Sequence, residues 1–161
     1  MEYIYIGKIV TTHGIKGELK ILSNFEYKKE AFKIGNKLYL GNEKIEEEIK
    51  SYRVHKNYDM VTFKDYDNIN QVLKYKNYKV YINKENLKID GYLDTDYIGL
   101  EVYMNDKMIG RIINVIKIPN NSLFEIEDSE KVFYIPNNKD LIEKVDMKNK
   151  KIFIKYIEGL I

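Results

Sequence analysis

Residues 11–20 read Thr-Thr-His-Gly-Ile-Lys-Gly-Glu-Leu-Lys, and the stretch 13–17 holds one of the chain's two histidines and two of its nine glycines. An imidazole exchanges a proton near neutral pH, an ammonium holds phosphate as a point charge, and glycine reaches positive φ without penalty. Two readings stand. The loop is a phosphate-contacting turn, with Lys16 at its tip and backbone N–H groups turned outward between Gly14 and Gly17. Or it is a hairpin that only reverses the chain, a task for which Asn-Gly or Asp-Gly suffices.

Other chemistry finds less support. The histidines, His13 and His55, lie far apart in sequence, and neither has an HxH or HxxxH partner, so no metal site is expected. No G-x-S-x-G elbow surrounds a serine, and the glycines at 7, 14 and 17 fit neither a dinucleotide fingerprint nor a P-loop. The run Glu46-Glu47-Glu48 is a carboxylate cluster or a solvated strand end. The 15 tyrosines serve as base-stacking platforms or, for the most part, as strand residues with one wet side. There is no cysteine, hence no thiol nucleophile, thiolate metal site or disulfide scaffold. No catalytic residue and no cofactor are expected.

The elements that must position these residues are mainly strands. Strand patterns cover Tyr3–Val10, Glu18–Ile21, Lys37–Leu40 and Ile45–His55, the last turned by a four-residue loop Lys56–Asp59 into Met60–Phe63. Ile69, Val72 and Leu73 fall at helical spacing after Asp67, a candidate N-cap, and predict one short helix. Tyr78–Ile82 returns to strand. Residues 83–97 are rich in Asn, Asp and Lys and predict a linker. Beyond it, strands are expected at Gly99–Met104, Met108–Lys117, Leu123–Glu127, Lys131–Ile135 and Lys151–Ile157, with a brief helical turn at Asp140–Val145. Spacings of about 8–12 residues argue for an all-β barrel or sandwich. The expectation is two small β-barrels in tandem, the first holding the helix: residues 1–86, a linker at 87–93, and residues 94–161. Gly7, Gly99 and Gly110 lie where barrels use glycine to bend a strand.

The 161 residues carry a formal net charge of +2, divided unevenly. Residues 1–86 hold 16 Lys/Arg against 12 Asp/Glu, a net of +4; residues 87–161 hold 11 against 13, a net of −2. The first half suits phosphate and the second a basic protein. No signal-peptide pattern opens the chain and no apolar run approaches the ~18 residues of a membrane span, so a cytoplasmic protein is expected.

Several stretches together resemble the ribosome maturation factor RimM family. GKIVTTHGIKGELKI at 7–21 is similar to the family's opening strand and its His-Gly-Ile/Leu-Lys/Arg-Gly-Glu loop. SYRVHKNYDMVTFKDYDNINQV at 51–72 resembles its Arg-x-His hairpin and short helix. YLDTDYIGLEV at 92–102 resembles the entry to its second domain, and DKMIGRIINV, VFYIP, VDMKNKKIFI and the terminal GLI resemble that domain, a PRC barrel. The likeness implies a six-stranded N-terminal barrel joined to a PRC barrel. It implies an accessory, non-enzymatic role in maturation of the head of the immature 30S subunit and in 16S rRNA processing. It also implies small-subunit ribosomal protein nineteen as partner, and a monomer is expected. Carried over residue by residue, His13, Gly14, Lys16, Gly17 and Arg53 are expected at RNA, and Tyr92, Asp96 and Gly99 at the ribosomal protein. Three positions depart from the pattern. Leu93 replaces the second of two paired aromatics, Tyr97 stands in the family's Asp-Leu-Ile-Gly, and Asn137 follows Ile135-Pro136 where an aromatic is usual. The rival readings are a flavin- or nucleotide-binding barrel enzyme and a PRC-type interaction module outside the ribosome.

Overall fold

The alternation of apolar and polar residues in the first 83 positions is resolved by closing one sheet on itself. The computed structural model describes residues 2–119, 121–156, 158 and 159. Strands β1 (Tyr3–His13), β2 (Glu18–Leu22), β3 (Lys37–Leu40), β4 (Ile45–His55), β5 (Tyr58–Phe63) and β6 (Lys79–Asn83) form a closed barrel in the order β1-β2-β5-β4-β3-β6. Every pairing in it is antiparallel. Ile9, Leu19, Ile21, Leu38, Leu40, Val61, Phe63, Val80 and Ile82 are buried, which fills the interior with side chains as expected of a six-stranded barrel. Closure also removes the unpaired edges that an open sheet of this size would leave.

Two irregularities bend β1. Its register shifts between Tyr5 and Gly7 and between Ile9 and Thr11. At Gly7 a Cβ would lie 2.5 Å from the Leu22 carbonyl oxygen, so the strand approaches its neighbour too closely for any side chain.

Two single turns of helix accompany this barrel. α2 (Ile69–Val72) fulfils the helical spacing, but its N-cap is Asn68 and not Asp67. The backbone N–H groups of both Asp67 and Asn68 donate to the Gln71 side-chain oxygen, at 2.8 and 3.2 Å. A 3₁₀ turn over Leu73–Tyr75 continues it. α1 (Lys28–Ala31) lies in a stretch whose sequence shows no helical period; Phe32, just past it, stacks on Tyr52 with ring centroids 5.2 Å apart.

The second unit is one six-stranded sheet. β7 (Glu101–Met104), β8 (Lys107–Ile118), β9 (Asn121–Glu127), β10 (Val132–Pro136), β11 (Ile142–Asp146) and β12 (Lys151–Ile154) are ordered β10-β9-β8-β7-β12-β11. Only β12 and β7 run parallel among these pairs. Val102, Met104, Ile112, Phe124, Ile126, Ile135, Ile152 and Ile154 form one apolar cluster, against which Ile142 and Val145 of β11 pack. All six strands reach one core, so the sheet curls into a barrel. Its ladder stays open between β10 and β11 among the described residues. The chain divides into compact units at Met1–Asp90 and Gly91–Ile161.

Three local expectations change. Residues 140–145 are not a helical turn: Ile142–Asp146 is strand, held in register by Val145 opposite Ile152. The loop between β4 and β5 has two residues rather than four, because His55 pairs with Tyr58 and Lys56 takes φ 56°. The last strand ends at Ile154; Ile157, like Leu160 and Ile161 of the terminal Gly-Leu-Ile, lies outside the described residues.

Candidate functional site

The strand order of the first barrel gathers the chemistry-bearing residues onto one stretch of its surface. His13 ends β1 instead of sitting in the loop, and it pairs across the hairpin with Glu18, the first residue of β2. Gly14 and Gly17 take φ of +70° and +91°, the left-handed region that glycine enters freely. Gly17 is buried; a Cβ there would lie 3.4 Å from the backbone of Asn68. The Ile15 carbonyl accepts from the Ile69 N–H at 2.9 Å. The loop is thus seated on the start of α2, and it presents Ile15 and Lys16 to solvent.

Arg53 reaches this loop from β4. Its Nε and Nη2 donate to the two carboxylate oxygens of Glu18 at 2.9 and 2.7 Å. The planar fork of guanidinium on carboxylate fixes both side chains. That hydrogen bonding holds the Glu18 carboxyl below the usual range; partial burial opposes the shift, and the charges of Arg53, His13 and His55 reinforce it.

His13 and His55, remote in sequence, have ring centroids 5.4 Å apart with planes tilted by 50°. Desolvation first, then the charges of Arg53, His13, Lys56 and Lys20, hold the His55 imidazole below its ordinary pKa. Lys20 Nζ sits 4.8 Å from the centroid of the Tyr58 ring. Met60 pairs in register with Lys20 on one side and Arg53 on the other, and it is fully buried beneath this polar cover. Sequence reading named His13, Gly14, Lys16, Gly17 and Arg53, and the fold brings them together. It missed Lys20, His55 and Tyr58 as members, because their proximity depends on β5 lying between β2 and β4.

In the second unit Tyr92 and Gly99 flank a 3₁₀ turn, Asp94–Tyr97, that contains Asp96. Asp96 caps it, its Oδ2 accepting from the Leu93 N–H at 2.9 Å. Gly99, at φ +96°, donates to the Ile112 carbonyl at 2.8 Å, and its own carbonyl accepts from Arg111 Nη1 at 3.0 Å. Tyr92 is 37% exposed, whereas Leu93 is buried. Tyr97 is buried against Phe124, with ring centroids 5.0 Å apart. An unforeseen ion pair, Asp94 Oδ2 to Lys117 Nζ at 2.5 Å, ties the turn to β8. Asn137 continues the β9–β10 contact, its N–H donating to the Ser122 carbonyl at 2.9 Å.

The glutamate run does not converge on a common point. Tyr39 and Lys37 hold Glu46, while the hydroxyls of Tyr66 and Tyr75 both donate to Glu47. Among the described residues no group of three His, Asp or Glu side chains is placed to hold a metal ion. Among the described residues no helix is long and apolar enough to cross a membrane.

Comparison with known proteins covers both units. The RimM N-terminal domain model matches residues 4–87, and the RimM PRC barrel domain model matches residues 94–160. The ribosome maturation factor RimM of Ligilactobacillus salivarius is 40% identical over 167 aligned positions, spanning 99% of each chain. That of Finegoldia magna is 36% identical over 166 positions, spanning 99% of this chain and all of the relative. The crystal structure of a Pseudomonas aeruginosa protein under the name RimM superposes with a TM-score of 0.50 at 18% identity, over 97% of this chain and 98% of that one. With both domain models matched in order and full-length relatives above a third identical, the chain belongs to the RimM family of ribosome maturation factors.

Proposed function

We propose that the chain is a non-catalytic assembly factor that binds immature small ribosomal subunits through two surfaces, one on each unit. The observation that carries this reading is the end-to-end likeness to relatives named for ribosome maturation. The first barrel's packed interior supports it, because binding then belongs to the outer surface. The loop around Lys16 and the Arg53 edge would meet phosphates of 16S rRNA. The stretch around Tyr92 and Asp96, on the more acidic unit, would meet the basic small-subunit ribosomal protein nineteen of the head. Preferential affinity for an immature conformation of the head would bias its folding without turnover.

Co-sedimentation of the full chain with small subunits tests this. Particles from maturation-blocked cells should retain it more strongly than mature particles, and equal retention would refute the chaperone role. Lys16→Ala should weaken binding to 16S rRNA and lower the salt slope by about one. An unchanged slope would leave the loop a chain reversal only.

A further inference from the structure

Cations outnumber carboxylates around the paired imidazoles. His13 comes from β1, Glu18 and Lys20 from β2, Tyr58 from β5, Arg53 and His55 from β4, and Lys56 from the turn between them. Lys16 is exposed on the neighbouring loop, and Asp67 precedes the α2 start on which that loop rests. Glu18 is engaged on both oxygens by Arg53. Asp59, also on β5, is turned into the barrel, where Tyr52 and Lys28 hold it. Protonating both imidazoles would therefore add two positive charges, one ring contact apart, beside Lys20 and Lys56 and next to the Arg53–Glu18 pair, whose charges offset each other. Like charges at that range oppose each other, and an anion seated beside them would offset that repulsion.

We infer that His13 and His55, with Lys20 and Lys56, form a proton-linked phosphodiester site that grips single-stranded RNA more tightly as pH falls through the imidazole range. The inference rests on the reading of this surface as RNA-binding and adds to it the ligand group, two histidines and a pH dependence. A phosphodiester remains anionic across this range, so the titrating groups belong to the protein. The aromatic faces of Tyr58, His13 and His55 beside ammonium groups match a base next to a phosphate better than an acidic peptide.

The direction follows from linkage. A bound phosphodiester raises the imidazole pKa values. Affinity then grows as pH falls through the bound-state values, by up to about tenfold per pH unit for each proton taken up. It levels off below the free-state values.

The test is fluorescence anisotropy of a labelled short oligouridine with the full chain, at fixed ionic strength. Between about pH 7.5 and 6 the affinity should rise by about tenfold. His55→Gln should roughly halve that rise on a logarithmic scale. The double variant His13→Gln/His55→Gln should abolish it and keep salt-dependent binding. A pH slope that survives in the double variant, or is absent from the wild type, overturns the proton-linked site and leaves the RNA reading standing. No oligouridine binding at any pH overturns both. Tighter binding of an oligoglutamate of equal charge would reassign the face to an acidic protein. Imidazole proton resonances of the wild type give a readout that does not depend on the variants folding. Oligouridine must raise both histidine pKa values, and unmoved values refute the site.

Discussion

Glu18 illustrates how one residue acquires its character from a strand it does not pair with. Arg53 reaches it across β5, and the resulting fork depresses its pKa. A carboxylate with a depressed folded-state pKa stabilises the protein above its unfolded value, and that contribution is lost as pH falls through the folded value. Glu18→Gln should therefore lower the urea midpoint at neutral pH, and the gap to wild type should close between about pH 5 and 3. A pH-independent gap would mean that packing, not charge, is what Glu18 contributes. The glycine-bracketed loop is legible at this scale, since residue types report positive φ directly. The histidine pair is not, because nothing local to His13 announces His55. Leu93 shows a subtler case. At the position where the resemblance implies a second aromatic, the aliphatic side chain is buried while Tyr92 faces solvent, so this is a packing position.

At the scale of elements, most strands follow from alternation, and the departures have physical causes. Lys56-Asn57-Tyr58-Asp59 has the composition of a turn, yet only its first two residues make one. Asp59 is 1% exposed, on β5 opposite Val54 and Ile21, and accepts from Tyr52 Oη at 2.5 Å while pairing with Lys28 Nζ at 2.9 Å. Tyr52 lies seven residues away across the β4–β5 hairpin, whereas Lys28 comes from the unforeseen α1. Asp59→Ala strands the Tyr52 hydroxyl in a half-buried site and removes the tie to α1, and should cost about 1–3 kcal/mol in urea denaturation. Tyr52, whose pKa is raised by burial and then by Asp59, should in that variant titrate at lower pH. A stability loss without that change would separate Asp59 from the hydroxyl. The helical turn expected at 140–145 fails for a related reason. Leu141, Ile142 and Val145 have helical spacing, but a bulge in β11 between Ile142 and Lys144 lets a strand bury the same residues.

At the scale of the molecule, two sheets pair only within themselves among the described residues, and each surrounds its own apolar cluster. Phe124→Ala removes a fully buried ring from the second cluster and should cost about 3–5 kcal/mol there. Hydrogen exchange should rise across β7–β12 and remain at wild-type levels in β1–β6. Equal acceleration in both units would mean that they unfold as one.

Composition, period and the ordered motifs determined by themselves the all-β class, the two-unit plan, the family and the glycine-bracketed loop at 14–17, because each is written in neighbouring residues. Tertiary structure alone decided which strands lie side by side. It set His13 against His55, laid Arg53 on Glu18, sent Asp59 inward, and left the second ladder open where the first closes. Pairing between strands far apart in the chain is chosen by how the whole sheet buries its apolar face, a quantity that no short window of residues contains.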